Sequence, residues 1–430
     1  MSRYDFQLSQ YRHDLHQSAQ ALTFAFSSED PTTFDDSAVK ISLTTPPGGP
    51  EDIEIRTRAV LWLEKWGEAT APPPAKIKNR YASLKDVNAG VKSVVRTYDK
   101  PEFLKTLYNE CPSFNGKNNL AIEIILTVIC KGPTEGRLQN IATVSQILNI
   151  SVFPQPDTSQ AFEQLGLLAD ELLVCMIQPL RTFGGKTPAV RSVKSNLEDY
   201  RPALDQGTEG RLSNLRTRVM LRDDFRCVVT GMISDHLEHE IPQERIAEQN
   251  LRFTAIECAH IIPHMLNELS SRLELSSEKQ QTWQLLNFYS PNLSETLKSE
   301  KIDEPQNALM LFNSAHNEFG KLRLWFTRVG ETNDDNRAVY RVEAKSGRSI
   351  SQSVWSKDPV VVFEAREGIP LPSAYLLALH RALAIALTVS GAGEKMDSIL
   401  DDYFTPRVLA EDGSSTEILE TRLRLAVACL

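Results

Sequence analysis

Apolar positions from about residue 51 to 180 recur three to five apart, the period of a helix with one buried face, whereas beyond residue 323 they recur every second residue, the period of a strand. Ile55, Val60, Leu63 and Trp66 line one side of a helix predicted over Ile53 to Trp66, and the run Ala71-Pro-Pro-Pro-Ala75 ends it. Two further helices are predicted over Pro101 to Asn109 and Asn119 to Cys130. A longer one over Gln160 to Leu180 places Phe162, Leu165, Leu168, Leu172 and Met176 on one face, with Asp170 and Glu171 toward the other. Such stripes are core faces rather than ligand boxes. Leu212 to Leu221 also reads as helix. Strands are predicted over Thr254 to Ala259 and Asn307 to Leu311, then over Arg323 to Val329, Val339 to Ala344 and Val360 to Ala365, with turn-rich segments after Gly330 and Lys345. Helices return at Ala374 to Ser390 and Glu417 to Cys429, while the first 45 residues are polar and irregular and Thr44-Thr-Pro-Pro-Gly-Gly-Pro50 is turn chemistry. No internal repeat is visible.

This order predicts an α+β chain in four parts: a flexible segment over 1–50, a helical region over 51–205, a mixed domain over 206–330, and a β-rich segment with C-terminal helices over 331–430. The 41% hydrophobic and 24% charged composition is that of an ordinary globular protein. With 47 Lys+Arg against 56 Asp+Glu, the net charge of -9 gives no global pull toward nucleic acid or an anionic membrane, so any nucleic-acid contact needs a local basic surface. One stretch supplies it: Arg181 to Arg226 holds ten Lys or Arg against six Asp or Glu, and within it Arg211, Arg218 and Arg222 can share one helix side. That side is either a solvated face or a phosphate-contacting one. The six cysteines are scattered, without zinc-ribbon or secreted-framework spacing, and the beginning of the chain lacks a basic-then-apolar leader. The expectation is an intracellular protein, cytoplasmic or nuclear, with no membrane span; Ala374 to Val389 contains His380 and Arg381 and reads as a buried helix.

Chemistry concentrates between Glu257 and Leu324. His260 closes an apolar strand that Pro263 stops, Asn307 precedes the second strand, and Asn313 is placed to cap a helix over Ser314 to Leu322 with His316 in its first turn. Strand, loop, strand, helix with His, Asn and His at the junctions is the ββα-metal arrangement. Hydrolysis of a phosphodiester with one metal needs a base that takes a proton from water near neutral pH, which imidazole can be, and a cation facing the phosphoryl group.

Arg216-Thr-Arg-Val-Met-Leu-Arg222-Asp-Asp-Phe-Arg-Cys227-Val-Val-Thr-Gly231, Glu257-Cys-Ala-His260-Ile-Ile-Pro-His264, Pro305-Gln-Asn307-Ala-Leu and His316-Asn-Glu-Phe319 together resemble an HNH endonuclease domain over about 212 to 328, most similar to the fungal-type branch. The resemblance implies a metal-dependent endonuclease acting on DNA, with RNA as the alternative substrate. His260 would be the general base, Asn307 the residue that holds it or assists the metal, and His316 a metal ligand. Arg216, Arg218 and Arg222 would contact nucleic acid, and the divalent ion would be Mg²⁺, with Mn²⁺, Ni²⁺ or Zn²⁺ as alternatives. Two departures stand out. Ala259 occupies the position where many HNH domains carry a second metal ligand, leaving Glu257, on the same strand face, as the substitute. Cys227-Val-Val-Thr230 lacks the second cysteine of zinc-binding variants.

The long spacing from His260 to Asn307, with Trp283, Phe288 and Tyr289, predicts an inserted helical cap that either shapes substrate access or packs. His264 reads as a supporting or surface group, His236 and His239 as a solvated loop, and Cys258 as a small buried residue. Ala259 and the acidic balance keep open a catalytically inactive HNH-fold module that binds nucleic acid or protein, and acid/base chemistry on a small molecule without a metal is a weaker third reading. The nuclease reading requires His260, Asn307 and His316 to gather.

Overall fold

A computed structural model describes residues 50–70, 98–129, 158–184, 208–239, 241–269, 275–297, 299–330, 336–345 and 360–397. The polar segment before residue 50, Cys130, the helix expected over Glu417 to Cys429, and Lys186, Arg191, Lys194 and Arg201 of the basic stretch lie outside the described residues.

The chain is α+β. Helices α1 (Pro50–Thr70), α2 (Lys100–Glu110), α3 (Phe114–Ile129) and α4 (Thr158–Glu171) form the first layer, and α4 runs through a π-helical turn, Leu172–Ile177, into α5 (Gln178–Phe183). Then come α6 (Thr208–Arg222), β1 (Ile233–Ser234), α7 (Gln243–Gln249), β2 (Phe253–Thr254), β3 (Ile256–His260), α8 (Ser277–Tyr289), α9 (Leu293–Thr296), β4 (Ala308–Phe312) and α10 (Asn313–Gly320). The described chain closes with β5 (Leu324–Arg328), β6 (Arg337–Ala344), β7 (Val360–Glu364) and α11 (Ala374–Ser390).

Local chemistry accounts for many of these boundaries. Asp99, Ser276 and Ser373 cap α2, α8 and α11 by accepting the backbone N–H of Glu102, Lys279 and Leu376, and Gly391 ends α11 in the left-handed region at φ 76°. The π-helical turn loosens the backbone ladder, and the Thr282 hydroxyl on α8 donates to the Cys175 carbonyl there at 2.9 Å. The predicted strand over Thr254 to Ala259 divides at Ala255: β2 pairs in parallel with β1, and β3 pairs antiparallel with β4, from Ile256 opposite Phe312 to His260 opposite Ala308. The remaining strands form an antiparallel sheet in the order β5-β6-β7.

One buried cluster runs from Ile55 to Met396. Its spine is α11, whose Leu376, Leu377, Leu379, Leu383 and Leu387 pack on α2 and β5, each side chain contributing about 2 kcal/mol through apolar burial. The segment between His260 and Asn307 belongs to this core. Trp283 and Tyr289 are buried, and the Tyr289 hydroxyl donates to the Leu107 carbonyl at 2.7 Å, so α8 packs against the N-terminal helices.

Candidate active site at the β3–β4 strand pair

Strand β3 is pleated, so Glu257 and Ala259 face one side and Cys258 and His260 the other. On the first side lies α10, which begins directly after β4 and carries His316 in its first turn. There the Glu257 Oε2 and His316 Nδ1 lie 2.5 Å apart, and the Asn313 amide donates to Glu257 Oε1 at 3.1 Å. Asn313 is the first residue of α10 and not its cap, which is Phe312 without a side-chain bond; its amide is spent on Glu257 instead. The hydrogen bond with His316 is the main cause that holds the Glu257 carboxyl below its ordinary range, Asn313 and the charge of Arg216 add to it, and partial burial opposes it. His316 is buried, whereas the Glu257 side chain is 39% exposed, so this carboxylate opens to solvent.

On the second side the His260 Nε2 lies 3.0 Å from Asp303 Oδ1, with both side chains 4% exposed. The His264 Nδ1 lies 3.8 Å from the same oxygen, and the two imidazole centroids are 5.8 Å apart. Cys258, on this side, is buried and its thiol is pushed up to about 12 by desolvation.

Asn307 is completely buried at the end of the 3-10 turn Pro305–Asn307. Its Oδ1 accepts from the Ile262 N–H at 2.9 Å, and its Nδ2 donates to the carbonyls of Ile262 and Ile302, each at 2.9 Å. Its own carbonyl accepts from the Ile261 N–H at 2.8 Å. Asn307 therefore fixes the loop that leaves His260 and ties it to the residue before Asp303.

Arg222 braces that turn from behind. Its Nε and Nη2 meet both oxygens of Asp223, its Nη1 donates to the carbonyls of Pro305 and Pro370, and its Nη2 also donates to Ala308. With a 0% exposed side chain and its whole guanidinium fork engaged, Arg222 has nothing left for a phosphate, which corrects the expectation of a nucleic-acid contact there. Asp223 also accepts the Met310 N–H at 2.9 Å, so the Arg-Asp pair clips α6 onto β4. Arg216 and Arg218 are half-buried: Arg216 donates to the Ile256 carbonyl at 3.1 Å and Arg218 pairs with Glu304 at 3.1 Å.

The expected residues fall into two groups rather than one: Glu257 meets His316 on one face of β3, His260 meets Asp303 and His264 on the other, and the Asn307 side chain is bonded to the Ile262 and Ile302 backbone. Asp303 is the residue that sequence reasoning missed, since an aspartate in Lys-Ile-Asp-Glu carries no spacing signal relative to a histidine 43 positions earlier. Among the described residues no group of three or more His, Cys, Asp or Glu side chains converges as a metal cage. Glu257 and His316 are of the donor types a hard or borderline divalent ion takes, and the Glu257 oxygen opens to water, but their 2.5 Å hydrogen bond occupies the His316 Nδ1 and would have to be given up for an ion to sit between them.

The antiparallel pair β3–β4, whose strands are joined by a long segment that includes α8 and α9, is followed directly by α10. The sequence model of the HNH endonuclease family matches residues 227–327, and the chain accordingly carries an HNH endonuclease domain over that span. No curated protein and no solved structure gives a significant match.

Proposed function

We propose that the protein is a metal-dependent HNH endonuclease that hydrolyses phosphodiester bonds in DNA. The observation that carries this reading is the meeting of Glu257 on β3 with His316 on α10, two residues 59 positions apart in the chain, inside the HNH-matched span. Glu257 and His316 would hold the divalent ion, Mg²⁺ in the first instance with Mn²⁺, Ni²⁺ or Zn²⁺ as alternatives, and when bound the ion supplies positive charge to the phosphoryl group and leaving oxygen. His260 takes the proton from the attacking water as general base, and Asn307 keeps its loop in place. Arg216 and Arg218, both half-buried on α6, are the basic side chains proposed to steer the phosphate backbone.

Incubation of the purified protein with supercoiled plasmid, linear duplex DNA and RNA, with each divalent ion in turn, tests the reading. Cleavage of DNA that EDTA abolishes is the expected result; intact nucleic acid under every ion would overturn it. A second reading, a non-cleaving HNH scaffold that binds nucleic acid or protein, is favoured by Ala259 at a ligand position and by the 4% exposure of the His260 side chain. It predicts salt-sensitive DNA binding with no strand scission.

A further inference from the structure

From the His260–Asp303 contact and the Asn307 clamp we infer that Asp303 is a positioning residue: it fixes the His260 ring with the proton on Nε2, leaving Nδ1 as the nitrogen that acts as base. A carboxylate in its anionic form only accepts hydrogen bonds, so with Asp303 in that form the 3.0 Å contact between its Oδ1 and His260 Nε2 has the imidazole as donor. In the neutral ring the remaining lone pair is then on Nδ1. Both side chains are 4% exposed, which limits competition from water for this bond.

The arrangement of the backbone serves the same contact. Asp303 ends the 3-10 turn Ser299–Asp303, and the carbonyl just before it, Ile302, is held by the Asn307 amide, whose other bonds hold both polar atoms of the Ile262 peptide two residues after His260. One side chain thus brings the His260 strand end and the Asp303 turn together. In this arrangement Asn307 acts on His260 through Asp303 as well as through the loop. His264 Nδ1 lies 3.8 Å from the same carboxylate oxygen, the Cys258 thiol feels the Asp303 charge, and Arg218 pairs with the neighbouring Glu304.

The catalytic meaning of this arrangement rests on the nuclease reading, but its test does not. The full chain labelled with ¹⁵N-histidine is observed by long-range ¹H–¹⁵N correlation at pH 8, and the His260 signals are assigned by their absence in His260→Gln. The wild type is expected to show the Nε2–H form. Asp303→Ala is expected to shift His260 to a mixture of tautomers and to lower kcat on duplex DNA by about 10- to 100-fold with KM little changed, less than the 10²–10⁴-fold a general base itself contributes. Asp303→Asn, whose amide oxygen still accepts, is expected to keep the tautomer and recover most of the rate. A wild-type His260 with its proton on Nδ1 overturns the proposal without any variant, and so does an unchanged tautomer in folded Asp303→Ala. If the wild type cleaves nothing yet the tautomer depends on Asp303, the nuclease reading fails and the positioning role stands.

Discussion

Arg222 is the side chain whose surroundings most change its meaning. From its spacing with Arg211 and Arg218 it reads as a member of a basic face, yet its fork is spent on Asp223 and on the carbonyls of Pro305, Ala308 and Pro370. Lysine keeps the charge but has no planar fork to reach these acceptors. Arg222→Lys is therefore expected to lower stability by on the order of 3 kcal/mol, read as a lower urea midpoint at constant slope. His380 offers a second test. Its Nε2 lies 3.0 Å from the Phe319 carbonyl and its ring stacks on Phe319 at 3.9 Å, while its buried Nδ1 has no hydrogen-bond partner among the described residues. Burial lowers its pKa from 6.5 to about 4, against the raising effect of the Phe319 bond. A depressed folded-state value means that the unfolded chain binds the proton first. The stability from keeping this ring neutral is complete above pH 6.5 and is lost as pH falls toward about 4, at most roughly 3 kcal/mol. Urea titrations between pH 7 and 4 are expected to show that loss in the wild type and a shallower slope in His380→Gln; equal slopes would refute it.

The elements were largely legible because periodicity and capping are local. Ala374 to Ser390 is read with its observed ends, since Ser373 and Gly391 mark both, and the three strands after Arg323 agree to within two residues. The π-helical turn at Leu172–Ile177 was not legible, because its carbonyl is satisfied by Thr282, 107 residues away. At the site, the strand, loop, strand and helix order follows from periodicity and the helix start, whereas the expected gathering of His260 with His316 is divided by the pleat of β3, which sets Glu257 and His316 on one face and His260 on the other. Nor was Asp303 legible, because only the Asn307 clamp on Ile302 brings it to His260. Packing between elements brings its own prediction. Gly184 ends α5 so close to α10 that an added Cβ would overlap the Gly320 carbonyl oxygen. Gly184→Ala is expected to cost about 1–3 kcal/mol, seen as a lower Tm, as α5 is forced off the end of α10.

Among the described residues, the N-terminal helices, the HNH-matched span and α11 share one buried core, so the β3–β4 pair is packed into that core rather than standing as a small independent module. Arg181 and Arg323 both pair with Asp397, tying α5 and the segment after α10 to the chain beyond α11. Among the described residues no helix is long and apolar enough to cross a membrane. A divalent ion bound by Glu257 and His316 in the folded state alone stabilises that state by mass action, about 2.7 kcal/mol at a hundred times the Kd. Mn²⁺ is accordingly expected to raise Tm in the wild type and to leave Glu257→Gln unmoved. The most direct measurement of the central claim is the single-turnover rate of duplex DNA cleavage with Mg²⁺ or Mn²⁺ in wild type, His260→Ala and His316→Ala at matched stability. The account predicts metal-dependent cleavage that falls by about 10²–10⁴-fold in His260→Ala and is weakened in His316→Ala. Cleavage at the wild-type rate in His260→Ala would contradict it.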